Sequence, residues 1–189
     1  MISFENKNIL IINADTALGE NISLKLSELG ANLILIGNNE DKLTNIIAQT
    51  KKAQYIINYI NIDKCCSKVD MIVYCNFFIE NNERNHENYL TFIDKISILQ
   101  HNNKNTSVVL LSKNENEQSL KKDLNTYIHQ EGINNLAKVL SHKYINQKIR
   151  FNTVIMDINT IEPASNLALY LISDSSKFIV GEKYDITND

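Results

Sequence analysis

Between Asn13 and Gly19 the chain reads N-A-D-T-A-L-G, a short polar turn placed directly after an apolar run and directly before an amphipathic one. A turn in that place leaves the first backbone N–H groups of the following helix without intrahelical partners, aimed at whatever lies over the edge of a sheet. Such a cradle suits an anion. Asn13 can adopt the positive φ that the turn needs at modest cost, and Asp15 sets a negative charge within it. The remaining reactive residue types are not arranged to act together. Cys65, Cys66 and Cys75 are odd in number and lack CxxC spacing, so reduced thiols and no metal site are expected. His86, His101, His129 and His142 stand far apart on polar stretches, which reads as solvated side chains.

The elements that must hold this turn follow from the apolar pattern. Asn8–Asn13 is aliphatic without polar alternation, the mark of a strand buried on both faces. Ile22, Leu26 and Leu29 recur at i, i+4 and i+7, one helical stripe, and Gly30 sits where a left-handed cap would end that helix. Leu33–Ile36 is a second strand, closing a βαβ unit. Leu43, Ile46 and Ile47 predict a helix over 39–50, Tyr55–Ile62 a third strand and Val69–Cys75 a fourth. A helix over Asn85–Gln100 follows, then a strand over Thr106–Ser112 and a long helix over Leu120–Asn146 interrupted at Gly132. Arg150–Met156 is the sixth strand, Pro163 suits the first turn of a last helix through Ile172, and Phe178–Ile186 closes the chain. Strands alternating with helices imply an α/β fold: one Rossmann-like, doubly wound parallel sheet of about six to seven strands. No repeat, linker or low-complexity stretch divides it, so residues 1–189 are expected to form a single domain.

Composition narrows the functional classes. At 189 residues and 43% hydrophobic content the chain can bury one good core. The net charge is −3 with both signs scattered, which leaves no basic stripe for nucleic acid. No apolar run approaches a membrane-spanning length, and residues 1–8 lack the pattern of a signal peptide. A cytoplasmic protein without nucleic-acid or membrane partners is the expectation.

The turn and its surroundings resemble the short-chain dehydrogenase/reductase family, whose first turn is Thr-Gly-x-x-x-Gly-x-Gly. Laid on this sequence the motif falls on Ile12 through Gly19, and only the last glycine, Gly19, is kept. Ile149-Arg150-Phe151-Asn152, with Thr160 after it, is similar to the family's "IRVN" run, and Ser173-Asp174 and Gly181 to its closing segment. The resemblance spans essentially the whole chain and implies NAD(P) as cofactor, with no metal. It places Asn13, Thr16, Leu18, Gly19, Asn38, Asp63 and Asn76 at cofactor-binding positions. Ala17 adds a methyl where pyrophosphate should come close. The end of the second strand, where an Asp would select NAD or a following Arg NADP, carries Gly37 and Asn38 and makes neither choice. Phe77 takes the place of a glycine and is large enough to fill a purine pocket. Only Lys64–Lys68 stands where the family has a flanking helix, so that helix is expected to be cut to a turn.

The same resemblance assigns the catalytic positions. Tyr127 matches the proton-transferring tyrosine, Lys113 the serine position with Ser112 one place early, and Asn85 (or Asn88) the asparagine. The lysine expected one helical turn after the tyrosine is Glu131. At about 5–6 Å and an effective dielectric near 20, one unit charge is worth roughly 3 kcal/mol, and here its sign is reversed. Glu131 therefore raises the phenol's pKa where lysine would lower it. Lys113 could restore a cation from the opposite wall. Tyr144-x-x-x-Lys148 matches the motif only as text, more than four turns beyond the site. Only Ile161 and Glu162 separate Thr160 from Pro163, so the substrate lid is missing. These readings favour a catalytically inactive or severely impaired protein that acts as a binding or scaffold protein. The alternative is a divergent NAD(P)H-dependent reductase with Tyr127 as proton donor. A homodimer through the helices at 85–100 and 120–146 is expected.

Overall fold

Residues 9–12 are aliphatic throughout, and each side chain is buried because the strand they form has neighbours on both edges and layers on both faces. The computed structural model describes residues 2–57, 69–76, 105–113 and 124–187. Its seven strands are β1 (Asn8–Ile12), β2 (Asn32–Gly37), β3 (Ala53–Ile57), β4 (Met71–Asn76), β5 (Ser107–Lys113), β6 (Arg150–Met156) and β7 (Lys183–Asp185). They form one sheet in the order β3-β2-β1-β4-β5-β6-β7. Every neighbouring pair is parallel.

Four helices are described: α1 (Ala17–Glu28), α2 (Glu40–Gln49), α3 (Leu124–Lys143) and α4 (Ile161–Ile172). The period-two geometry of the strands divides the core in two. Ile9 and Ile11 face a cluster that takes in Leu18, Ile22 and Leu26 of α1 and Ala168 and Leu171 of α4. Leu10 and Ile12 face the other cluster, with Leu136, Ala137 and Leu140 of α3. Gly30 ends the α1 stripe at φ +89, the left-handed cap expected of it.

Two sequence expectations need correction. Gly132 does not interrupt α3, which runs unbroken across it; an isolated glycine costs only about 1 kcal/mol against Ala, which twenty residues of helix absorb. The closing strand is three residues long, not nine. Phe178 is 87% exposed, and the backbone turns at Gly181 (φ +78) before pairing begins. The Asn85–Gln100 helix and the turn at Lys64–Lys68 lie outside the described residues. Among the described residues no helix is long and apolar enough to cross a membrane.

Candidate functional site

The strand order reverses between β1 and β4, and ligands of open parallel sheets bind at the carboxyl ends of strands at such a switch point. Register brings Ile12 beside Ile36 and Tyr74, and Ser112 beside Asn76 and Ile155. The ends of β1, β2, β4, β5 and β6 therefore share one rim.

The turn after β1 is held by its own side chains. Asn13 takes φ +58, and its Nδ2 donates to the Cys75 carbonyl at the end of β4 at 3.0 Å. Asn13 thus supplies both the left-handed backbone and a pin across the switch point. Thr16 caps α1: its Oγ1 accepts from Gly19 N–H at 3.0 Å and donates to Asn13 O at 2.8 Å. Leu18 is fully buried in the core. Gly19 has no room for a side chain, since a Cβ would stand 2.5 Å from Asn13 O and 2.6 Å from Ala14 Cα. Ala17 begins the helix with its methyl exposed.

Asp15, which enters the sequence reading only as a charge, links the turn to β2. Its Oδ2 accepts from the N–H groups of Asn38 and Asn39, both at 2.9 Å. Asn39 in turn caps α2 by accepting from Lys42 N–H at 3.0 Å, and Lys42 Nζ donates to Asp15 O at 3.3 Å. Gly37 makes this possible. A Cβ at Gly37 would lie 2.6 Å from both Cγ and Oδ1 of Asp15. Residue separation along the chain gives no sign of this pairing; only the β1–β2 register shows it. Beside it, burial first and the Asp15 charge second push the Cys75 thiol far up, so Cys75 stays a protonated core residue.

Across the rim the expected catalytic positions are only partly within view. Ser112 is fully buried at the end of β5, and Lys113 closes that strand opposite Met156. Tyr127 lies in the first turn of α3, but its side chain, like those of Lys113 and Asn76, lies outside the described residues, as do Asp63, Phe77 and Asn85 altogether. Glu131, one helical turn after Tyr127, is half-buried. Its Oε1 accepts from Asn134 Nδ2 at 3.2 Å and its Oε2 from Asn135 Nδ2 at 3.4 Å. Beyond β6 the chain passes through a 3-10 turn at Ile158–Thr160 straight into α4. Asp157 and Thr160 cap that turn reciprocally. Among the described residues no group of His, Cys, Asp and Glu could hold a metal.

The Ile149–Asn152 run has a structural task. Arg150 donates from Nη1 to the carbonyls of Ser176 (2.8 Å) and Ile179 (3.2 Å) and from Nη2 to that of Ser173 (3.1 Å). Asn152 donates to Ile179 O at 3.1 Å and accepts from Glu182 N–H at 3.0 Å. Together they fasten the segment after α4 to the sheet so that β7 can pair.

No protein-family model matches the sequence, and no curated protein does. Solved structures match over nearly the full length. A short-chain type dehydrogenase/reductase from Mycobacterium ulcerans superposes with TM-score 0.80 at 14% identity, covering 98% of this chain and 90% of that one. A short-chain dehydrogenase/reductase (glucose/ribitol dehydrogenase) from Brucella melitensis gives 0.80 at 15% identity, covering 98% and 97%. BdcA in complex with NADPH gives 0.76 at 12% identity, covering 97% and 94%. The fold is that of the short-chain dehydrogenase/reductases.

Proposed function

We propose that this protein is a binding protein on the short-chain dehydrogenase/reductase framework: it retains the nucleotide crevice over β1 and β2 and carries no competent proton relay. One observation supports the second half above all others. The position one turn after Tyr127 holds an acidic residue, Glu131, whose side chain is engaged by the carboxamides of Asn134 and Asn135. An acidic residue at that position offers no cation to assist proton transfer from a phenol. Loss of a positioned acid or base costs about 10²–10⁴ in rate. The passage from β6 directly into α4 adds to this, since nothing there closes over a substrate to exclude water. The first half rests on the turn after β1, which Asn13, Thr16 and Gly19 maintain, and on a neighbour of the same fold that is solved in complex with NADPH.

The test separates binding from turnover. Titration with NADH and NADPH, followed by cofactor fluorescence, is expected to show binding of at least one dinucleotide below millimolar concentration. Mixed with a panel of aldehydes and ketones, the complex is expected to oxidise its cofactor no faster than free cofactor. Sustained oxidation that Tyr127→Phe abolishes would overturn the proposal in favour of a divergent reductase, and Lys113→Ala would then show whether that lysine supplies the missing cation.

A further inference from the structure

We infer that Asp15 is the ribose-recognition residue of this crevice, and that the site accepts an adenine nucleotide with a free 2′,3′-diol and rejects a 2′-phosphate. The inference rests on the binding function proposed above. In dinucleotide-binding βαβ units an acid at the end of the second strand accepts from the ribose diol. Here that position is Gly37, and the space its side chain would fill is taken by a carboxylate from elsewhere in the chain. The Asp15 Cγ and Oδ1 both lie 2.6 Å from where a Cβ of residue 37 would stand. The acid is thus present at the end of β2 but delivered from the first turn.

Its orientation fits the role. Oδ2 is held by the N–H groups of Asn38 and Asn39, which fix the carboxylate plane. Among the described residues no hydrogen bond is made to Oδ1, and Asp15 is only partly buried. A diol can donate to Oδ1. A 2′-phosphate brings about −1.5 to −2 charge and meets this carboxylate at short range. The two N–H groups that could bind the phosphate are already occupied by Asp15, and Asn38 has no charge to offer. Lys42 Nζ, donating to Asp15 O at 3.3 Å, offsets the charge of this one carboxylate. Gly37 and Asp15 form one device, because a side chain at 37 would expel the carboxylate.

Isothermal titration with ADP-ribose and 2′-phospho-ADP-ribose tests this without involving the nicotinamide half. The wild-type protein is expected to bind ADP-ribose at least about 30-fold more tightly. Asp15→Asn, which keeps an acceptor for the two N–H groups, is expected to bring the ligands within about threefold. If thermal melting shows that variant to be unfolded, Asp15→Ser gives the same reading. Asp15→Ser/Gly37→Asp, which returns the acid to β2, is expected to restore the preference. Wild-type protein that binds both ligands alike, or a preference that survives in Asp15→Asn and Asp15→Ser, overturns the assignment while the crevice stands. Ligands that bind Asp15→Ser but not the wild type overturn it too, since Asp15 would then block the site. No binding to any of these proteins ends the crevice reading, and the assignment with it.

Discussion

Two glycines in this chain respond oppositely to the same methyl group. At Gly19 a Cβ would enter the backbone of the turn, 2.5 Å from Asn13 O and 2.6 Å from Ala14 Cα, and neither atom can move without undoing the β1–α1 junction. Gly132 is exposed in mid-helix with nothing within 4 Å of a Cβ. Gly19→Ala is therefore expected to destabilise by about 3 kcal/mol, the upper range for overpacking. Gly132→Ala is expected to stabilise by up to about 1 kcal/mol through helix propensity. Urea unfolding of both variants checks the signs, and equal midpoints would mean that the turn yields. The spacing of Gly19 was legible because its motif is local. Asp15 was not, because its partners lie 23 and 24 residues away and become neighbours only through strand pairing.

Among elements, the contact of α1 with α4 has a titratable component. Lys25 Nζ meets Glu162 Oε1 at 2.5 Å and Asn166 Oδ1 at 2.9 Å, and Asn21 donates to Glu162 Oε2 at 3.4 Å. The bond from Lys25 is the main cause holding the Glu162 carboxyl below its ordinary value of 4.5. A depressed carboxyl stabilises the fold above its unfolded-state value, and that stabilisation is lost as pH falls through the folded one. Melting temperature in the wild type is accordingly expected to drop between about pH 5 and pH 3 more steeply than in Glu162→Gln. The difference should be small, since Glu162 is exposed, and it should shrink in 1 M salt. Equal slopes would show the pair to be energetically silent. Periodicity predicts α1, and Pro163 marks the first turn of α4. It could not show that Arg150 and Asn152 act as clasps. Their signal in the sequence was a resemblance, while their partners are backbone carbonyls and N–H groups that leave no trace in side-chain type.

At the scale of the whole molecule, the α/β alternation was readable, whereas the switch between β1 and β4 depends on which strands pair, and no local pattern encodes that. The same topology couples the two halves of the core. Each central strand contributes alternate residues to both clusters: Ile11 lies with α1 and α4, Leu10 with α3. Neither layer can be removed without exposing the sheet that supports the other, so the chain should unfold as one unit although it exceeds the size at which two-state behaviour is usual. Ile11→Ala and Leu10→Ala remove comparable buried groups from opposite faces, each at a cost of about 2–5 kcal/mol. Both are expected to shift a single transition downward together. Tyrosine fluorescence, to which Tyr74 and Tyr144 in the α3-side cluster contribute, should then coincide with far-UV circular dichroism in the wild type and both variants. Separation of the two signals in Leu10→Ala, with helicity outlasting the tyrosine change, would mean that α1 and α4 can hold the sheet alone and that the layers are energetically independent.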